Sequence, residues 1–506
     1  MSAPVADPSL VDKLAADLRA TGYGVAGVEE LLGPVAADAL HREEPVPALR
    51  RLRRADTPLA AVVGAFMLGT TVPVAAIERA LPSLGVDGAV RLGLVEALGD
   101  EARALVDLRP YTAVDGHGEV DWWIASDLGE LATGRALRTD HVLGVGGAST
   151  TLAQVTVRTP VGRVLDLGTG CGIQALHASR HAAEVTATDI SARALQFTRF
   201  NAALAGVTFD LRLGSMLEPV AGSEFDLVVS NPPFVITPRT ADVPAYDYRD
   251  GGRAGDAIVR DLITSVGSVL APGGVAQLLG NWEVPRGASW DERVGQWLDE
   301  SGLDGWVVQR ELQDPAQYAE TWIRDGGTTP DRDLDAWRAR YGAWLDDFAS
   351  RDVEAIGFGV VTLRRPPLGV ATLRRLEEVT GTVQQPLGPS IAASLAAETW
   401  LTSTSDAALA DAHLLVAPDV TEERYLTPGA MDPQVVLLRQ GGGFGRAVQA
   451  GTALAGFVGA CDGDLSVGQI VGALGALLEV GAADVAADVL PSIRGLVRDG
   501  LLTVAR

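Results

Sequence analysis

A chain of 506 residues that is 47% hydrophobic has enough apolar material for about two to four domains and at least one sizeable core. Its 41 Lys and Arg against 65 Asp and Glu give a formal net charge of −24, which repels nucleic-acid phosphate overall and argues against bulk nucleic-acid binding. Only Cys171 and Cys461 are present, far apart, which excludes a disulfide framework. No unbroken apolar run reaches the roughly 18 residues of a membrane span, and MSAPVADPSLVDK lacks the basic-then-apolar pattern of a signal peptide. A cytoplasmic chain with no membrane partner is expected.

The first hundred residues read as helices. Leu10, Val11, Leu14 and Leu18 recur at helical spacing, and a second apolar pattern runs from Leu59 to Leu68. Two short helical segments broken by Pro82 and Gly85 follow between Val74 and Leu98. ARALVDLRPY and DWWIASD then read as strands around the turn AVDGHGEV. Helices followed by a two-stranded ribbon predict a winged-helix-like accessory domain over residues 1–138. Within it ALRRLRRAD, with Arg50, Arg51, Arg53 and Arg54, is the best candidate for a local basic patch and reads first as a solvated helix face.

From about Thr139 strands alternate with helices. RVLDL, EVTATDI, FDLRLG, FDLVVS and VAQLLG read as strands, with ARALQFTRFNAALAG and GDAIVRDLITSVGSVL among the intervening helices. WVVQREL and EAIGFGVVTLRR add two strands around a partly helical insert, Gln313 to Asp352. Such alternation implies an α/β domain with a parallel sheet and crossovers, here seven-stranded over 139–365. RRPPLG (Arg364 to Gly369) marks the next boundary. Residues 366–506 end in helix, helix, strand, a second winged-helix-like pattern in a mainly helical domain. Ser466 and Gln469 form a capping box there, and Leu490, Ile493, Leu496 and Val497 make one helical face. Arg494 and Arg498 are the only basic residues of its second helix, so packing or protein docking is at least as well supported as DNA binding.

Two motifs carry chemistry. VLDLGTGCGIQALHAS (Val164 to Ser179) is a strand, a turn through Gly168, Gly170 and Gly172, and a helix, where backbone can approach a ligand closely. NPPF (Asn231 to Phe234) ends a later strand with an amide, two prolines and an aromatic ring. In this order the pair resembles the Rossmann-like class I methyltransferases that use S-adenosyl-L-methionine, within the branch that methylates planar nitrogen. NPPFVITP followed by DGGRAGDAIVRDLI is similar to HemK/PrmC-type glutamine methyltransferases, which modify a translation release factor. Those usually carry Tyr at the aromatic position, and Phe234 is closer to ribosomal-RNA guanine methyltransferases. The resemblance covers about 200 central residues.

The resemblance implies that the turn Gly168, Thr169, Gly170, Cys171 and Gly172 lies under the methionine and ribose portions of the cofactor. Asp166 resembles the acid that helps hold the amino-acid end. Asp189, 21 residues after Gly168 and followed by Ile190, is placed to accept both ribose hydroxyls, with a cap on the helix starting near Ser191 as the alternative. Ser215 stands where relatives commonly carry an adenine-binding Asp, with Met216 beside it. DHVLGVGGAST (Asp140 to Thr150) resembles the segment that closes over the cofactor, its alternative being an ordinary loop. The amide of Asn231 and the carbonyl of Pro232 accept from the acceptor nitrogen, Pro233 helps fix them, and Phe234 lies against a planar group. Tyr246, Asp247, Tyr248, Arg249 and Asp250 either line the acceptor entrance or, like Asp256, serve turns and helix starts. His177 and His181 lack an apparent third metal ligand, and no GxSxG serine elbow follows a strand. The leading expectation is a protein glutamine methyltransferase. The alternatives are a ribosomal-RNA or DNA base N-methyltransferase and a non-catalytic cofactor-binding regulator, against which the intact Asn231, Pro232 and Pro233 argue.

Overall fold

The computed structural model describes residues 3–115, 117–134, 137–240, 243, 246, 248–367 and 369–505. They fall into two compact units, one from Met1–Ala153 with Pro160–Glu378 and one from Gln154–Thr159 with Val379–Arg506. The boundary expected near residue 138 therefore lies inside the first unit.

That unit begins with helices α1 (Pro8–Ala20), α2 (Val25–Leu32), α3 (Pro34–His41) and α4 (Val46–Leu52). Asp7 starts α1 by accepting from the Leu10 amide at 3.2 Å, and Leu10, Val11, Leu14 and Leu18 are buried as their spacing predicts. The apolar run from Leu59 becomes a helical turn over Pro58–Val62 that continues as a π-turn over Val63–Met67. Val95–Leu98, expected at the end of a helical segment, is instead a strand paired with Glu101–Ala104. The predicted ribbon is present as β1 (Asp107–Asp115) and β2 (Gly118–Ser126).

Next come β3 (Val161–Leu167), α5 (Ile173–Ala178), β4 (Ala182–Asp189), α6 (Ala192–Leu204), β5 (Asp210–Leu213), β6 (Phe225–Ser230) and α7 (Ala257–Ser265). The unit closes with β7 (Leu270–Pro285), β8 (Asp304–Gln313), α8 (Pro315–Asp325), α9 (Leu334–Ser350), β9 (Val353–Arg364) and β10 (Arg374–Glu378). The sheet has eight strands in the order β10-β8-β9-β7-β6-β3-β4-β5, not seven. The added strand, RRLEE, lies beyond the expected boundary at 365 and pairs parallel to β8. Only β9 runs antiparallel to its neighbours. The chain reverses direction across the sheet between β3 and β6, and ligands bind doubly wound sheets outside the strand C-termini at such a point.

The N-terminal helices and ribbon share one hydrophobic core with α5 and α6, joining Leu14, Leu18, Phe66 and Leu108 to Ile173, Leu176, Phe197 and Phe200. Asn201 stitches the ribbon to the central helices. Its side chain accepts from the Ala125 amide at 2.8 Å and donates to the carbonyls of Ala125 (2.9 Å) and Cys171 (2.7 Å), fully buried.

The second unit keeps the expected helix, helix, strand as Val467–Leu478, Ala482–Arg498 and Leu502–Val504, and Ser466 with Gln469 forms the capping box. It also holds an antiparallel meander, Val420–Tyr425, Val435–Gln440 and Ala447–Ala450, so it is less helical than expected. These strands are four to six residues long and half exposed, which leaves a weak alternating pattern.

Replacing Asn201 by Ala strands three buried backbone groups without partners. We expect a loss of about 2–4 kcal/mol, read as a lower urea midpoint of the first unit. An unchanged midpoint would show that the stitch contributes nothing.

Candidate active site

A cavity of about 670 Å³ opens at the C-terminal ends of β3, β4, β5 and β6, within the usual size of a small-molecule site. The turn after β3 forms its floor. Gly168 (φ 75°) and Gly170 (φ 56°) adopt backbone that L side chains rarely tolerate, and a Cβ on either would point into open space. The amides of Gly168 and Thr169 donate to the Thr188 carbonyl at 3.0 and 2.9 Å, which pins the turn to β4. Gly172 serves packing instead, because its Cβ would meet the Thr198 methyl at 2.9 Å, and it does not line the cavity.

Asp166 also stays out of the cavity. Its buried Oδ2 accepts from the Thr169 hydroxyl at 2.6 Å and the Ala175 amide at 2.9 Å, bracing the turn and the start of α5 from beneath. Burial pushes its pKa up to about 7, against the lowering effect of those two bonds. Its place is structural, in contrast to the ligand contact expected from sequence. Burial likewise pushes the Cys171 thiol up to about 12, so the wall it contributes is neutral.

Asp189 stands at the cavity wall. Oδ2 accepts from the Gly170 amide at 3.0 Å and Oδ1 from the Ser191 amide at 2.8 Å. Ser191 itself caps α6, so the cap does not need Asp189. A carboxylate at this place can accept from a ligand hydroxyl. Ile190 beside it is 67% exposed, an apolar surface held open at the rim. Ser215 and Met216 line the same wall, joined by Leu217 and Glu218, which the sequence did not single out. Met216 has φ 49°, a strained conformation of the kind that clusters at ligand sites.

The far end of the cavity is formed by Ser230, Asn231, Pro232 and Pro233. The Ser230 hydroxyl donates to the Leu167 carbonyl at 2.8 Å and locks the ends of β6 and β3 together. Asn231 Oδ1 is buried and meets no hydrogen-bond donor among the described residues. A buried acceptor without a partner costs about 1–3 kcal/mol, and a ligand N–H would satisfy it.

Phe234 turns away, in contrast to the platform expected from sequence. It packs 5.6 Å from the Phe358 ring and 6.5 Å from Trp322 of α8, centroid to centroid, and does not line the cavity. Tyr248 supplies an aromatic wall of the cavity, with its ring 5.9 Å from that of His141. Burial raises the Tyr248 pKa, and burial lowers that of His141, so both are held neutral. Asp140 to Gly144 and Ser149 complete the wall, the place expected for the glycine-rich segment. The Asp127 carboxylate holds that segment by accepting from the Val142 amide at 2.8 Å while pairing with Arg193.

Of the remaining candidates, Asp247 lies outside the described residues. Tyr246 is buried, and Arg249 sits over its ring while bonding Asp325 at 3.1 Å and the Trp322 carbonyl at 2.9 Å, tying the loop to α8. Asp250 lines the cavity but is spent on the Tyr246 amide (2.6 Å), Arg249 and Thr237. Asp256 precedes α7 and pairs with Arg293 at 2.7 Å. His177 bonds the Tyr111 hydroxyl at 2.9 Å and His181 stacks on His117. No group of three metal-ligating side chains occurs among the described residues. None of their helices is long and apolar enough to cross a membrane.

A raised folded-state pKa at Asp166 means that the folded chain holds a proton the unfolded chain has released. Stability from this group is fully present near pH 4 and is lost as pH rises toward 7, by up to about 4 kcal/mol. We expect the unfolding midpoint of the wild type to fall relative to Asp166→Asn across that window. Parallel profiles would show that the carboxyl does not titrate this way.

Family models match three segments. Residues 144–297 match the methyltransferase small domain, and residues 20–105 and 392–504 match two domains of unknown function (DUF7059 and DUF7782). The release factor glutamine methyltransferase of Deinococcus radiodurans is 42% identical over 124 residues, 23% of this chain and 44% of that protein. Ribosomal RNA small subunit methyltransferase C of Alcanivorax borkumensis is 33% identical over 140 residues, 28% of this chain and 36% of that protein. The ribosomal protein L11 methyltransferase of Symbiobacterium thermophilum is 34% identical over 155 residues, 30% and 43% respectively. The chain thus spans less than half the length of each of these relatives. Over residues 144–297 the chain is therefore similar to the methyltransferase small-domain family and to HemK/PrmC-like class I methyltransferases of the S-adenosylmethionine-dependent type.

Proposed function

We propose that this chain transfers a methyl group to a planar nitrogen, with the side-chain amide of a protein glutamine as acceptor. The observation that carries the reading is the unpartnered, buried Asn231 Oδ1 at the end of a cavity floored by the glycine turn. In this reading the Gly168–Cys171 turn, Asp189, Ile190, Ser215 and Met216 hold S-adenosylmethionine, which when bound supplies an electrophilic methyl. Asn231 Oδ1 and the Pro232 carbonyl accept the two N–H groups of the acceptor amide. They orient its nitrogen and keep electron density on it, a positioning effect that enzymes use in place of stronger chemistry. Pro232 and Pro233 fix the backbone so that both oxygens converge. Tyr248 takes the place against the planar amide that the sequence assigned to Phe234. The methylated nitrogen releases its proton to solvent, so a general base is not required.

The charge of the walls favours a neutral amide over a nucleotide. Asp140, Glu218 and Asp261 line the cavity, and its one arginine, Arg253, is paired with Asp261 at 2.6 Å. A phosphate-bearing acceptor meets carboxylates there with no free cation among the described lining residues. The curated relatives include both glutamine and ribosomal-RNA methyltransferases by name, so base methylation is the second reading.

Two substitutions separate the halves of the site. Gly170→Val places a side chain in the floor and should weaken S-adenosylmethionine binding at least about tenfold by calorimetry, with strain at φ 56° adding to the effect. Asn231→Ala should retain that binding and reduce methyl transfer at least about 100-fold. Radiolabelled methyl would be followed in cell extract, with protease and nuclease digestion of the products. Label removed by protease alone supports the glutamine reading. Label removed by nuclease assigns a base instead, and transfer undiminished in Asn231→Ala refutes the mechanism.

A further inference from the structure

The arginines of α4 stand apart from the others. Arg50 and Arg51 lie in its last turn, Arg53 is its C-cap and Arg54 follows in the turn beyond, and all four are exposed. Ala48, Leu49 and Leu52 of the same helix pack into the core of the first unit. The helix is therefore held in one orientation, with its cations outward.

None of the four meets a carboxylate within ion-pair distance among the described residues, although several acids lie close in sequence. Glu44 is used at the start of α4, accepting from the Val46 amide at 3.2 Å. Asp56 pairs with Arg79 at 3.1 Å. Arg51 is steadied by donating from Nε to the Leu31 carbonyl at 2.9 Å, which leaves its terminal nitrogens outward. The second unit offers the contrast. Arg424, Arg439, Arg446, Arg494 and Arg498 each pair with a carboxylate of that unit, so its helix, helix, strand presents no comparable cation cluster.

From this arrangement we infer that α4 is a docking surface for the phosphate backbone of nucleic acid. At physiological salt the screening length is about 8 Å, so the overall charge of −24 does not cancel the local field of four clustered guanidiniums. Guanidinium forks match phosphate oxygens. Val46 is the one large apolar side chain that α4 exposes, too little surface for a membrane helix, which buries a whole apolar face in lipid, or for a protein interface, which buries an uncharged centre. The apolar face of α4 is already committed to the core. The inference is independent of the methyl acceptor, since the carboxylate-lined cavity keeps phosphate from the reacting nitrogen.

Binding would be measured on the full chain by fluorescence anisotropy between 50 and 200 mM KCl. The probes are a labelled 20-base-pair RNA duplex, a single-stranded RNA of the same length and a DNA duplex, with poly-glutamate and phosphatidylserine vesicles as competitors. Wild type is expected to bind at least one nucleic acid with a salt slope near −3. Arg50→Gln/Arg53→Gln/Arg54→Gln should lose at least tenfold in affinity and most of that slope, and the corresponding triple Lys variant should retain binding and control for folding. The three probes identify which backbone is preferred. Unchanged affinity and slope in the Gln variant, loss of binding in a folded Lys variant, no binding by wild type, or stronger competition by poly-glutamate or vesicles than by unlabelled nucleic acid would overturn the inference.

Discussion

The carboxylate of Asp166, buried beneath the glycine turn, is the constraint on which the cavity depends. One oxygen holds both the Thr169 hydroxyl and the Ala175 amide, so turn and helix start are fixed by a single atom. With the Gly168 and Thr169 amides committed to β4, the Gly170 amide is left to reach Asp189. Floor and wall are thus one hydrogen-bonded piece, anchored in strands that cannot shift without breaking sheet pairing. Ser230 carries the same rigidity to β6 and delivers Asn231 to the cavity end. A positioning mechanism needs this rigidity, because small displacements of an orienting group cost rate steeply.

The turn was legible in the sequence because glycine at positive φ leaves a signature in residue type alone. So was Asn231, because two following prolines fix its backbone. What the sequence could not disclose is the direction of a side chain whose partners come from distant elements. Asp166 turns inward because Thr169 and Ala175 offer hydrogen bonds there. Phe234 turns inward because Trp322 and Phe358 build an aromatic pocket from an insert and from β9. Phe234 has no hydroxyl to anchor at the cavity, so apolar burial decides its place. Tyr248, fourteen residues later, is an aromatic side chain that does line the cavity. The eighth strand is hidden for a related reason: RRLEE carries four charged residues around a single leucine, and only its parallel partner β8 makes it a strand.

The N-terminal segment reads in sequence as a separate accessory domain, yet in packing it completes the central one. α5 and α6 present apolar faces away from the sheet, and α1, the ribbon and the π-turn bury them. The Asn201 side chain then links the ribbon to the carbonyl of Cys171, a residue of the cofactor turn. Periodicity placed α1 but carries no record of which faces meet, so the shared core is not legible in the sequence.

Charge in this chain is partitioned as well as abundant. Many of its arginines are spent on internal pairs, including those buried with Asp250, Asp304 and Glu283. Removing one partner of such a pair leaves an isolated buried charge, so these residues report on folding and say little about recognition. Against that background, Arg50, Arg53 and Arg54 stand exposed at the end of a helix that packs by its apolar side chains, and only Arg51 bonds the fold, through the Leu31 carbonyl. Their mutual repulsion opposes the helix end they occupy, partly offset by the negative end of the helix dipole. A cluster that costs local stability and pairs with no carboxylate is accounted for by a ligand that neutralises it.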